Sequence, residues 1–211
     1  MKPILSLLMM FICAASATGQ MLVFEFSGSI SSFMNPQNVP SSIYTGQPIT
    51  GWFSYDNSVD GVIDTSLGTT NRYNYDQVAS VQVYIGDILI SHLNKSVEID
   101  VDNGQYNIRS DRNEDHFIYR FKTIVPEFGT DVISGDFYFF DYTATIFDSF
   151  ALPTSFDLSA FDITEFHFSR NIQWFSVSCQ IDEIILIPEP ITILFFGIGG
   201  LMLHTKRQFY I

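Results

Sequence analysis

Val97-Glu98-Ile99-Asp100-Val101-Asp102-Asn103-Gly104, followed by His116-Phe117-Ile118-Tyr119-Arg120-Phe121, is the stretch that decides the fold. Val97, Ile99 and Val101 alternate with acids. Phe117, Tyr119 and Phe121 alternate with His116, Ile118 and Arg120. A period of two sends successive side chains to opposite faces of a strand, so each run has one face for a core. Asn103-Gly104 fits a tight hairpin turn of type I′. Upstream, Gly86-Asp87 fits a type II′ turn between Val81–Ile85 and Ile88–Ser91. Leu22, Phe24 and Phe26 alternate in the same way with Val23, Glu25 and Ser27. No long helical period appears between residues 18 and 187. The pattern gives ten to twelve short strands and predicts an all-β fold, a single antiparallel β-sandwich of jelly-roll type.

The composition agrees with one such domain. The chain has 211 residues, 16% aromatic and 16% charged, with 21 Phe and 10 Tyr. That is enough aromatic mass for a core and too little charge for general disorder. Acids outnumber bases 23 to 10. A chain of that sign repels phosphates, which argues against a nucleic-acid partner.

Both ends read as addresses. Met1-Lys2-Pro3 precedes an apolar run from Ile4 to Ala15, and Ala15-Ser16-Ala17 supplies small residues for a signal peptidase. This is the layout of a secretory signal peptide over residues 1–17, with Ala15 and Ala17 at the cleavage site. Cleavage after Ala17 fits best, and Gly19 is the next choice. The competing reading is a buried N-terminal helix or strand. Cleavage removes Cys13 and leaves Cys179 alone, so stability must come from packing instead of a disulfide. Cys179 reads as a small buried apolar side chain. At the other end, Ile187-Pro188-Glu189-Pro190 leads into an apolar run from Ile191 to Leu203, followed by His204-Thr205-Lys206-Arg207. As a helix those 13 residues span about 20 Å, less than the roughly 30 Å hydrocarbon core. Lys206 and Arg207 suit the cytoplasmic side. Each Pro fixes its own φ and holds the preceding residue extended, so the tripeptide is a rigid, accessible spacer.

Pro188-Glu189-Pro190, the short apolar segment and the basic pair Lys206-Arg207 resemble the PEP-CTERM sorting signal of exported Gram-negative proteins. The resemblance covers 188–211. It implies recognition by exosortase, a membrane-embedded cysteine transpeptidase, transient insertion of a short C-terminal hydrophobic helix, and release to the cell surface or extracellular space. It also implies an association with extracellular polysaccharide. A plain C-terminal membrane anchor is the alternative. Gly51-Trp52-Phe53-Ser54-Tyr55-Asp56, with Tyr73 and Tyr75 further on, is similar to the N-terminal region of many proteins of that kind.

The body, 18–187, keeps 7 bases and 22 acids, a charge of about −15, which favours solubility. Pro36 to Pro48 and Leu152 to Ala160 are its two loop-like stretches. Glu98, Asp100 and Asp102 share a strand face. They suit a solvated face, and a weaker alternative is Ca²⁺, which takes six to eight oxygens; no other cofactor or metal is indicated. A glycosidase needs two carboxylates across a cleft, and no motif selects a pair among so many acids. His92, His116 and His167 show no metal-ligand spacing. Asn94-Lys95-Ser96 matches a glycosylation sequon. Phe137-Tyr138-Phe139-Phe140 puts aromatics on both faces of one strand, so both faces are covered or one is sticky. Trp52, Trp174, Tyr73, Tyr75, Tyr138 and Tyr142 offer flat surfaces for sugar rings. Tyr73 and Tyr75, beside Asn71, Arg72 and Asn74, look least like core and are the candidate carbohydrate contacts.

Three functions follow from this reading. The first is an exported, non-catalytic surface or matrix protein associated with exopolysaccharide. The second is a carbohydrate-binding module, which needs an aromatic strip on one sheet face. The third is a secreted hydrolase, which needs an acidic cleft with a raised carboxyl pKa.

Overall fold

The alternating residues do bury one face each: Val97, Ile99, Val101, Phe117, Tyr119 and Phe121 all point into one core. The computed structural model describes residues 20–64, 72–107, 112–129, 132–170 and 175–188. They form strands β1 (Met21–Met34), β2 (Pro48–Asp56), β3 (Val62–Asp64), β4 (Arg72–Ile85) and β5 (Ile88–Asn107). β6 (Arg112–Ile124), β7 (Val132–Asp141), β8 (Ile163–Arg170) and β9 (Phe175–Ile187) follow. All pairings are antiparallel. Each strand from β4 to β9 pairs with the next, β9 returns to β1, β1 pairs with β2, and β2 pairs with β4. Those eight strands close an up-and-down barrel, and β3 extends the edge of β4 beyond it.

This corrects the expected β-sandwich. Alternation assigns a face to each residue, and a sandwich and a barrel use the same alternation. Closure depends on two contacts distant in sequence, Phe24 opposite Leu186 and Phe53 opposite Val81. The short C-terminal helix lies outside the described residues, as do the signal peptide with Ala15 and Ala17, and Glu189, Pro190, Lys206 and Arg207.

The two turn readings fare differently. Gly86 has φ 57° and joins Ile85 to its direct partner Ile88, as the II′ reading requires. Asn103-Gly104 is not a hairpin turn. β5 runs on to Asn107, and the register with β6 shifts between Asp102 and Gln105, so the pair sits in a bulge. A bulge and a hairpin both draw on residues that tolerate unusual backbone, and local sequence does not separate them.

An eight-stranded barrel is just wide enough for side chains to fill, and here aromatic rings fill it. Phe53 lies 4.8 Å from Phe137 and 5.3 Å from both Phe24 and Tyr119, centroid to centroid. Phe137 continues the stack to Phe166 at 4.7 Å. Gly135 makes room for this packing, since a Cβ there would lie 2.3 Å from the Phe121 ring.

One barrel end is closed by the connection 142–162. Phe156 enters the mouth, 5.1 Å from Phe24, 5.1 Å from Phe117 and 4.9 Å from Phe139. Asp115 and Asp141, direct partners on β6 and β7, hold the connection down. Asp115 accepts the N–H groups of Ile146 and Phe147, both at 2.8 Å. Asp141 accepts those of Thr143 at 2.7 Å and Thr145 at 2.8 Å. The opposite end is closed by a 3₁₀ turn over Pro126–Phe128, with Phe128 packed on Phe168 and Phe175. Val23 pairs with Ile187, so the chain enters and leaves the barrel at the plugged end.

Candidate functional site

With the interior filled, the outer wall of β4 to β8 is where unusual chemistry collects. Register builds it. Asp76, Glu98, Arg120, Asp136 and His167 are successive direct partners across β4 to β8, so they form one row around the barrel. In the adjacent row toward the plug, Asp100, Ile118, Tyr138 and Glu165 are partners in the same way.

Arg120 organises the wall. Its guanidinium donates to Glu98 at 2.8 Å and to the Asp100 carboxylate, and its Nε stands 3.6 Å from Asp136. Asp100 is only 1% exposed although it lies on the outer face. The solvated acidic face expected of Glu98, Asp100 and Asp102 is therefore corrected. Glu98 alone is well exposed, and Asp102 is buried beside His116, 3.8 Å away. A charge taken out of water needs a partner, and cross-strand register, invisible in a single strand's pattern, supplies Arg120. Burial alone would lower the pKa of Arg120, but the charge and hydrogen bond of Asp100, joined by Glu98, raise it. Burial raises Asp136 to about 6, against the opposing pull of Arg120 and His167.

Beside this row runs a strip of rings. Tyr138 stacks on Phe140 at 5.9 Å and meets His167 edge-on at 5.0 Å, while Phe140 lies 5.1 Å from His116. Tyr138, Phe140 and His167 are half-buried. Glu165 and His167 are bonded at 2.5 Å. On the other side of the row lies a groove of about 820 Å³, lined in part by Asp76, Ser96, Glu98, Arg120, Lys122, Ser134, Asp136 and Ser169. His92 braces its floor, with ring nitrogens 2.8 Å from the Lys122 carbonyl and 3.0 Å from that of Ser96.

The carbohydrate contacts chosen from the sequence fall elsewhere. Tyr75 is 5% exposed, and its hydroxyl donates to the Phe150 carbonyl at 2.5 Å, so it belongs to the core beneath the plug. Tyr73 lies in β4 opposite Val101 and Ile63. Trp52 is half-buried and donates to Gln82 at 3.2 Å. The wall residues that sequence reasoning passed over are Arg120 and Asp136. Tyr138 is among the rings that the sequence offers to sugars, yet Tyr73 and Tyr75 rank ahead of it there, although four consecutive aromatics must put two outside.

For Ca²⁺, the carboxylates of Glu98 and Asp100 converge on a guanidinium instead of an oxygen cage. Among the described residues no group of three or more His, Cys, Asp or Glu is arranged to hold a metal. Cys179 is buried in β9, and burial, with the charge of Glu165, pushes its thiol up to about 12, which leaves it unreactive. Pro188, first residue of the Pro188-Glu189-Pro190 tripeptide, is exposed and follows directly on β9. Among the described residues no helix is long and apolar enough to cross a membrane. Comparison with known proteins gives no match to a family model, a curated protein or a solved structure.

Proposed function

We propose that this is an exported, non-catalytic surface or matrix protein that holds extracellular polysaccharide on the outer wall of its barrel. The observation that carries the reading is the continuous wall of Tyr138, Phe140 and His167 beside the Arg120 row. Half-exposed rings next to carboxylates, a guanidinium and serine hydroxyls provide both parts of sugar recognition. The rings receive C–H faces, and the polar groups receive hydroxyls.

The route to the surface rests on the two ends of the chain. We propose that signal peptidase removes 1–17 and exosortase acts at Pro188-Glu189-Pro190, after transient insertion of the tail in the inner membrane. The exposure of Pro188 supports an accessible cleavage region. Intact mass of the protein from its native host tests this: a chain running from about Thr18 to about Pro188 is expected, and one still ending at Ile211 contradicts it.

For the wall, Tyr138→Ala is expected to weaken retention on the host's purified polysaccharide about tenfold or more, the scale of one ring's apolar surface taken out of water. Unchanged retention removes the site. A second reading, a secreted glycoside hydrolase, draws on the raised carboxyl of Asp136 in the same row as Glu98. It predicts release of reducing sugar that Asp136→Asn abolishes.

A further inference from the structure

We propose that the plugged end of the barrel rests in the membrane interface through the apolar tip of β9 while the C-terminal segment is inserted. The inference rests on the sorting reading above.

β9 outruns its neighbour. β8 pairs with it only as far as Gln180, and a register shift against β1 falls between Ile181 and Glu183. Among the described residues, Glu183 to Ile187 therefore pair with β1 alone and leave an open edge. That edge is apolar on both faces. Ile184 and Leu186 are partners of the inward Phe26 and Phe24, whereas Ile185 and Ile187 are partners of Glu25 and Val23 on the outer side. Ile185 is 52% exposed, and Leu186 and Ile187 are each 38% exposed. Natural open edges are ordinarily guarded by charge or made very short. Here the guard is Pro188, and among the described residues Ile185, Leu186 and Ile187 stay exposed.

The length of the following chain says what covers it. The apolar run begins at Ile191, four residues beyond Ile187, so the tip lies at most about 13 Å from it, at roughly 3.3 Å per extended residue. The run is about 10 Å too short to cross the hydrocarbon as a helix. A short segment thins the bilayer or draws its flanks inward. The cytoplasmic flank is Lys206-Arg207, which stays with the headgroups. The flank free to be drawn in is the tip of β9. Asp182, Glu183 and Glu189 flank the tip in sequence and Glu25 pairs with Ile185, so the surface it suits is zwitterionic, not anionic.

Spin-label depth measurements on the full chain in phosphatidylcholine vesicles test this. Cys13→Ser leaves Cys179, which is buried and silent to labelling. Single labels are then placed through Ile187→Cys, through Met34→Cys at the opposite barrel end, and through Phe196→Cys in the tail. The label at 187 is expected to be about threefold or more less accessible to an aqueous nickel chelate than that at 34, as for an interfacial site. A label at 187 as accessible as that at 34, with 196 shielded in lipid, overturns the inference and leaves the sorting reading standing. A label at 196 that is itself aqueous overturns both.

Discussion

Strand β7 carries Phe137 and Phe139 on one face and Tyr138 and Phe140 on the other, and the two pairs live in different surroundings. Phe137 and Phe139 are fully buried among rings from β1, β2, β6, β8 and the plug. Tyr138 and Phe140 stack on each other on the outer wall, with Arg120, His167 and His116 as neighbours. The inner pair has only packing to do. The outer pair keeps half-exposed ring surface beside charged groups. The same residue type therefore packs the core on one face and, under the proposed function, receives polysaccharide on the other.

Substitutions can break that comparison. Phe137→Ala has the largest expected effect. It empties the centre of the ring cluster and is expected to cost about 3–5 kcal/mol, read as a large fall in melting temperature. Asp115→Ala comes next. It strips two part-buried N–H groups of their acceptor, with an expected cost of about 1–3 kcal/mol. Hydrogen exchange at Ile146 and Phe147 should accelerate, and unaltered exchange there would show that Asp115 does not hold the plug. Tyr138→Ala should have the smallest effect on stability, under about 1 kcal/mol for a half-exposed ring, although it should remove retention. A melting temperature that falls as far for Tyr138→Ala as for Phe137→Ala would erase the distinction between the walls.

Acidity sharpens the same contrast. The folded pKa of Asp136 is raised to about 6 by burial, while the unfolded side chain titrates near 3.8. Between those values the folded state holds a proton that the unfolded state has lost, so stability declines as pH rises from about 4 to about 6. Asp136→Asn should flatten that slope. Asp141 has the opposite sign. Burial works to raise its pKa, but hydrogen bonds from Thr143 and Thr145 outweigh burial and lower it. Its contribution is present above the ordinary aspartate range and is lost as pH falls through the folded value. Urea melts of Asp136→Asn and Asp141→Asn across pH separate the two effects.

Much of the inner wall was legible from alternation alone. Leu22, Phe24, Phe26, Val97, Ile99, Val101, Phe117, Tyr119 and Phe121 point inward as read. Closure was not legible, because Phe24 meets Leu186 through a pairing that no local pattern encodes. The outer wall was legible only in part. Four consecutive aromatics announced an outer pair, but the row from Asp76 to His167 exists only through the registers of five strands. Tyr75 misled for a related reason: its polar neighbour Asp76 is exposed on the opposite face of the strand while Tyr75 is buried. Asn103-Gly104 misled because bulges and hairpin turns use the same residues.

The claim that recognition belongs to the outer wall is tested most directly by titrating isotopically labelled protein with the host's purified polysaccharide and following backbone amide shifts by NMR. The account predicts that the largest perturbations fall on Arg120, Asp136, Tyr138, Phe140 and His167, with the plug residues 142–162 unmoved. Perturbations confined to the plug, or none at a polysaccharide concentration that the native cell surface retains, would contradict it.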